Sequence, residues 1–239
     1  MTNILTFGGG VNSVALAIEM VTRSMPMDFI VFSDTLGEKP ETYAYIEYFS
    51  AWLEEKNYPP VTKLPPYKEG GLYGECIDAK RLPSIVYGFK SCSEKWKLRP
   101  FVRFCRENNL FPANVYKGID AGESHRVKDY SDKNQTVIFP LVDWGIDRTD
   151  CIKTIIDAGL KLPAKSSCFF CPSMRRSEVQ ELKKENPELL QLAIEMEENA
   201  HDKHTTIKGL ARNRSWADIV AQQVLDFNTP IDSCDRCHD

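Results

Sequence analysis

Ile4, Leu5 and Phe7 form an apolar run that breaks at Gly8-Gly9-Gly10, and apolar residues return as Val14-Ala15-Leu16-Ala17-Ile18. This pattern predicts a strand, a tight turn and a helix N-terminus. A second apolar run, Met27 to Phe32, predicts another strand that ends in Ser33-Asp34-Thr35. Tyr45, Phe49, Trp52 and Leu53 recur at helical spacing within Thr42 to Lys56, and that stripe reads as core. Pro59 to Gly74 is rich in Pro, Gly and Tyr; it reads as an irregular connection, long enough to act as a lid or a substrate-binding insertion. Phe101 to Asn108 is predicted helical, and a strand follows at Asn114 to Lys117. Val137 to Trp144 is predicted as the last strong strand. A helix then starts at Asp147 and ends at Gly159, with Pro163 beyond. Arg175 to Glu198 is charged and helical, with Leu182, Leu189, Leu190 and Ile194 on its apolar face. Strands alternating with helices predict an α/β domain with a mostly parallel sheet.

Composition narrows this little. A chain of 239 residues, 42% hydrophobic and 27% charged, can bury one α/β core with a small appendage. A formal net charge of −4 argues against a strongly basic surface, yet leaves room for a local nucleic-acid groove. No apolar run approaches the ~20 residues that span a bilayer, so no membrane is expected. The N-terminus shows no charged segment followed by an apolar core, so a cytoplasmic location is expected. In that setting eight cysteines read as metal or redox sites rather than a disulfide framework.

The candidate chemistry lies at the ends of these elements. A glycine turn that feeds a helix N-terminus suits phosphate, because the turn permits close approach and the first amides and the dipole favour an anion. Ser13 would add a hydroxyl. The turn has neither the Gly-Lys-Ser/Thr of a Walker A loop nor the G-x-G-x-x-G of a dinucleotide fold. Asp34 and Thr35, at the C-terminal end of a strand, could meet a ribose, a base or Mg2+, or could cap a turn. Cys92 is followed by Lys95, Lys97 and Arg99, and such charges favour a thiolate or balance a phosphate. Lys117 and Arg126 are candidates for phosphate or sulfate contacts, and His125 reads as a solvated loop residue ahead of an acid–base role. Cys105 and Cys151 read as structural. Cys168-Phe169-Phe170-Cys171 places two thiols on one turn, at the spacing of a metal or cluster site. The tail holds a second pair, Cys234 and Cys237, followed by His238; a haem attachment is disfavoured there because it needs an exported protein. The segment Gly209 to Trp216 is basic and could bind nucleic acid, close over substrate, or be a solvated connector.

Several of these blocks resemble the PP-loop ATP pyrophosphatases, and within them the phosphoadenosine-phosphosulfate (PAPS) reductase-like family. Gly8, Gly9, Gly10, Asn12 and Ser13 align with S-G-G-x-D-S, with Gly8 in place of the first serine and Asn12 in place of the aspartate. Asp34-Thr35 with Pro40-Glu41-Thr42 is similar to D-T-G-x-x-x-P-E-T, with Leu36-Gly37 replacing the glycine and its follower. Gly118, Glu123, Ser124 and Arg126 match G-x-R-x-x-E-S-x-R, in which the early arginine is replaced near Asp120. Pro140-Leu141, Asp143-Trp144 and Asp147 fit a fourth block, and Cys92 with the Cys168/Cys171 pair fits the cluster-bearing members.

The resemblance implies a Rossmann-like (adenine nucleotide alpha hydrolase-like) sheet with helices on both faces. Residues 1–165 would form the nucleotide domain, and residues 166–239 a cysteine-rich C-terminal extension. It implies ATP with Mg2+ held by Gly8, Gly9, Gly10, Asn12, Ser13, Asp34, Thr35 and Gly118. Asn12, Ser13, Arg126 and Cys237 would serve catalysis. Cys92, Cys168 and Cys171 would hold a [4Fe–4S] cluster, with zinc the runner-up. The fourth ligand would be Cys234, Cys237 or an open iron. The implied activity is ATP-driven adenylation followed by sulfur transfer. A sulfonucleotide reductase with Cys237 as nucleophile and a nucleotide- or cluster-sensing module are the alternatives. Implied partners are an adenine nucleotide, a tRNA or DNA substrate, a reductant or sulfur-donor protein, and a second copy in a homodimer.

Overall fold

In the computed structural model, residues 1–89, 91–128, 131–201 and 207–222 are described, so Cys234 and Cys237 lie outside the described residues. Five strands, β1 (Thr2–Thr6), β2 (Phe29–Ser33), β3 (Val61–Leu64), β4 (Ala113–Lys117) and β5 (Gln135–Ile138), form one sheet in the order β3-β2-β1-β4-β5. Every neighbouring pair is parallel, with Ile4 opposite both Phe29 and Val115. The expected α/β class is therefore present. The central strands β1, β2 and β4 bury residues on both of their faces, as a parallel sheet covered on both sides requires. Leu5, Ile30 and Tyr116 enter one core, which packs under α1 (Val11–Thr22), α2 (Pro40–Glu55) and, later in the chain, α7 (Arg148–Asp157). Their neighbours Ile4, Val31 and Val115 enter the opposite core together with Phe101 and Cys105 of α5 (Arg99–Glu107). Cys105 and Cys151 are fully buried, one in each of these cores.

Two expectations need correction. Pro59 to Gly74 is not a plain connection: it contains the edge strand β3 and leads into α3 (Gly71–Asp78). Val137 to Trp144 is not one strand, because β5 stops at Ile138 and Pro140 starts the single turn α6 (Pro140–Asp143). Proline has no N–H to give a sheet but fits the first turn of a helix. The basic stretch after Cys92 runs from a short turn, α4 (Ser91–Ser93), through a π-type turn at Glu94–Leu98 into α5. The long charged segment is two helices, α8 (Arg176–Glu185) and α9 (Pro187–Ala200), because Pro187 turns Asn186 out of the helical region (φ −142, ψ 64).

A further core joins α3, Leu82, Val86 and Trp96 to Phe169, Phe170, α8, α9 and α10 (Trp216–Ala221). The segment from residue 166 onward thus shares its core with residues 72–96. Among the described residues no helix is long and apolar enough to cross a membrane.

Candidate functional site at the sheet switch point

The strand order reverses direction between β1 and β4, and open α/β sheets bind ligands in the crevice beyond the C-terminal ends of such strands. The glycine turn leaves β1 at that point. Gly9 has φ +72, and Gly10 is the extended N-cap of α1 (φ −104, ψ 170). No side chain caps α1; Ser13 N and Val14 N both donate to Gly10 O at 3.1 Å, and the amides of Val11 and Asn12 precede them at the helix start. Ser13 does not point outward as a free donor. Its Oγ donates to Gly10 O at 2.9 Å and accepts from Gly8 N at 3.3 Å, so the hydroxyl holds the shape of the turn.

Gly118 ends β4 directly against this turn. A Cβ there would lie 2.9 Å from Asn12 C, Asn12 O and Ser13 N, so only glycine admits the approach. Asn12 is fixed from two sides: its Nδ2 donates to Asp120 Oδ2 at 2.8 Å, and its Oδ1 accepts from Arg148 Nη1 at 2.7 Å. The buried Asp120 also accepts from Glu123 N at 3.0 Å. This accounts for Asn12. An aspartate in its place would set two carboxylates against each other. Asp120 and Arg148 were not singled out from the sequence, because their partner lies more than a hundred residues away.

Asp34 and Thr35 are both buried beyond β2. Asp34 Oδ1 accepts from Leu36 N at 2.7 Å and from Tyr43 OH at 2.8 Å, while Thr35 Oγ1 lies 3.2 Å from Cys168 Sγ. Arg126 is 55% exposed, and its Nη1 pairs with Glu123 Oε1 at 2.5 Å. Lys117 is partly buried at the end of β4, and desolvation holds its amine below the ordinary lysine range.

The segment 166–171 is bound to this crevice. Phe169 N donates to Gly37 O at 2.7 Å, and Glu38 and Cys168 form an antiparallel bridge. A Cβ on Gly37 would strike the Phe170 ring at 2.8 Å, so that glycine lets the hairpin seat. Upstream, Ser166 Oγ lies 3.2 Å from where a Gly10 Cβ would stand. The glycine turn and the thiol pair are therefore two ends of one contact.

Cys92 and Cys168 both border the core of α3, α8 and α9, and Cys171 follows Cys168 within one turn, its N donating to Cys168 O at 2.9 Å. Cys171 lies close enough to both Cys168 and Cys92 for their charges to interact. Burial pushes the Cys168 thiol up to about 12, helped by the neighbouring Glu38, and burial also raises Cys171. Bound metal would have to displace those protons. The cations after Cys92 do not converge on its thiol. Lys95 pairs with Glu75, Arg99 with Glu94 at 3.0 Å, and Lys97 Nζ stands 3.9 Å from Glu38 Oε1. Lys97 is the one whose charge reaches Cys168 and Cys171. Beyond Cys92 a cavity of about 240 Å³ is lined by Cys76, Arg81, Tyr87 and Lys95.

Among the described residues, no group of three His, Cys, Asp or Glu side chains is drawn together tightly enough for one metal ion. Thiolates about 2.3 Å from a single zinc would lie only about 3.8 Å apart. A four-iron cluster would bind each thiolate through a different iron, and Cys92, Cys168 and Cys171, all partly buried, are the cysteines that would each take one. Three buried oxygens near this corner have no hydrogen-bond partner among the described residues: Glu38 Oε2, Thr42 Oγ1 and Ser167 Oγ. Glu38 was not singled out from the sequence.

No protein-family model matches the chain, and no curated protein matches it. Among solved structures, the U34-tRNA thiolase NcsA from Methanococcus maripaludis, with its [4Fe-4S] cluster, is similar over 87% of this chain and 74% of that one. The identity is 15% and the TM-score 0.44. Such a likeness leaves function to be argued from this chain's own residues.

Proposed function

We propose that this protein is a PP-loop-type enzyme that adenylates an acceptor oxygen with ATP and Mg2+ and replaces that oxygen by sulfur. In this reading Cys92, Cys168 and Cys171 hold a [4Fe–4S] cluster. The observation that carries it is the direct contact of an uncapped glycine turn with a cysteine segment: Ser166 lies against Gly10 while Thr35 Oγ1 meets Cys168 Sγ at 3.2 Å. A phosphate site alone would need only the turn. Partly buried thiols beside it are explained when the nucleotide and the sulfur react at one place.

The residues divide the work as follows. The amides of Gly8 to Ser13 and the N-terminus of α1 take the β- and γ-phosphates, and Ser13 keeps the turn in shape. Gly118 lets the turn sit against β4, and Asn12 fixes it to Asp120 and Arg148. Asp34, steadied by Tyr43, faces the nucleotide or its metal. Arg126 exchanges Glu123 for phosphate charge when substrate arrives. The acceptor oxygen attacks the α-phosphorus, the α–β bridging bond breaks, and pyrophosphate leaves onto the turn. Attack by sulfur on the activated carbon then expels AMP with the acceptor's oxygen. The cluster, when bound, supplies or activates that sulfur.

Anaerobically purified protein is assayed for iron, sulfide and zinc. It is then given ATP and Mg2+ with a sulfide source and with tRNA, DNA or a small metabolite as acceptor. The proposal expects iron and sulfide in equal amounts, and pyrophosphate and AMP with one acceptor. Pyrophosphate release with none of them removes adenylation. Sulfite formed from a sulfonucleotide, and lost in Cys237→Ser, would replace this reading by reduction. Nucleotide binding with neither product would leave a sensing module.

A further inference from the structure

Between Ile207 and Ser215 the chain carries Lys208, Arg212 and Arg214 and no acidic residue, although the formal net charge of the whole is −4. That stretch is a fixed turn rather than a solvated connector. Leu210 and Trp216 are each 1% exposed and sit in the core that α8 and α9 share. The buried Glu197 carboxylate accepts from the backbone N–H of both. Gly209 and Arg212 form an antiparallel bridge, Lys208 N donates to Arg212 O at 2.8 Å, and Arg212 is held in the left-handed conformation (φ 59). Anchored at both ends, the turn presents Lys208, Arg212 and Arg214 to solvent. The start of α8 adds Arg176. Its Nη2 and the Nη1 of Arg214, the latter at 3.2 Å, both donate to the side-chain oxygen of Gln222. Two guanidinium groups thus converge on one neutral acceptor, and among the described residues neither has a carboxylate partner.

We infer that this surface docks the phosphate backbone of a nucleic acid, and that the acceptor oxygen lies on that polymer; the second clause rests on the function proposed above. Like charges brought together without an acid repel, and a phosphate between them removes the repulsion while each guanidinium gives it a two-pronged donor. A polynucleotide fits better than a protein partner. None of the exposed large apolar side chains lies in residues 172–185 or 207–222. Protein interfaces are built around cores depleted of charge, whereas nucleic-acid interfaces are polar and strongly positive. The cations are also spread over a turn and a helix start instead of closing on one pocket, which suits a strand rather than a single small anion. Asp218, the acid of α10, is turned to its own helix start, where it accepts from Ser215 N at 3.4 Å. The surface lies beside the crevice. Two residues after Arg176, Glu178 pairs with Lys165 at 2.7 Å, and the next residue, Ser166, lies against Gly10. The first turn of α8 therefore joins the cationic surface to the glycine turn.

The test uses the full chain as wild type, Gln222→Glu, the pair Arg176→Gln/Arg214→Gln, and a control pair, Arg103→Gln/Arg106→Gln, at exposed positions of α5. Fluorescence anisotropy follows binding of labelled tRNA, a single-stranded RNA and a DNA duplex over a series of salt concentrations. Thermal unfolding and calorimetric titration with ATP and Mg2+ run alongside. Gln222→Glu gives both arginines an internal carboxylate. It is expected to unfold at the same or a higher temperature, yet to bind nucleic acid about tenfold more weakly. The arginine pair should flatten the plot of log K against log salt by about 1.4 on single strands and about 1.8 on a duplex, one phosphate contact per guanidinium. The polymer held most tightly names the class of acceptor. Binding by Gln222→Glu within twofold of wild type, an equal loss in the control pair, or no binding by wild type would overturn the docking surface and leave the adenylation reading standing. Pyrophosphate released with a small acceptor but not with the bound polymer would overturn the polymer as acceptor. Pyrophosphate released with neither would overturn adenylation and leave the docking surface in place.

Discussion

Gly118→Ala tests the geometry of the crevice most directly. The added Cβ would stand 2.9 Å from three atoms, Asn12 C, Asn12 O and Ser13 N, all of them backbone. No side chain can swing away, so either β4 or the glycine turn must retreat by about half an ångström or more to restore ordinary contact. Overpacking of this kind costs about 1–3 kcal/mol in stability. The same displacement moves the α1 amides off the positions that would bind phosphate. Losing the strength of even one charge-assisted hydrogen bond, about 1.5–3 kcal/mol, weakens nucleotide binding by at least about tenfold. Gly74→Ala is the control: it lies within α3 and its Cβ would meet nothing within 4 Å. That substitution should raise stability by up to about 1 kcal/mol and leave nucleotide binding unchanged. Calorimetric titration with ATP and Mg2+, together with urea unfolding, reads both quantities. A Gly118→Ala protein that binds ATP within twofold of wild type would refute the reasoning, because the turn would then not depend on its contact with β4.

Two further outcomes are expected. Asn12→Asp should lower stability near neutral pH by about 1–3 kcal/mol, since it turns the 2.8 Å bond to Asp120 into a carboxylate pair that Arg148 offsets only in part. Adding Asp120→Asn should restore most of the loss, and simple additivity in that double-mutant cycle would sink the explanation. Glu197 is buried and accepts from Leu210 N at 2.6 Å and Trp216 N at 2.8 Å, and burial raises its carboxyl to about 7. The folded chain therefore keeps a proton that the unfolded chain has released. Its contribution is complete below the ordinary glutamate value and is lost as pH rises through 7. That amounts to up to about 3 kcal/mol. Urea unfolding between pH 5 and 8 should show a decline that flattens in Glu197→Gln, and a wild-type slope no steeper than the variant's would contradict it.

The parts of the molecule that could be read in advance are those whose cause is local. The strand–glycine–helix start needs nothing beyond its own residues, and the Cys168/Cys171 spacing is fixed within one turn. β3 escaped because it is a four-residue edge strand in which only Val61 and Leu64 are buried; its outward Lys63 reaches Glu47 at 2.5 Å, so no period-two pattern is written into it. Leu36 escaped differently. It stands in the block where the resembling family has glycine, yet it adopts the left-handed conformation (φ 55) that glycine takes freely, so its neighbours impose the turn. Glu38 shows the deeper reason. An acidic residue just ahead of Lys39-Pro40 at a helix start reads as an ordinary exposed partner of the helix dipole. What changes its chemistry is a hairpin that arrives more than a hundred residues later: Ser167 and Cys168 close over it, Gly37 leaves room for Phe170, and Lys97 approaches from a third segment. A residue type announces what it can do. Its desolvation is set by segments the local sequence does not contain.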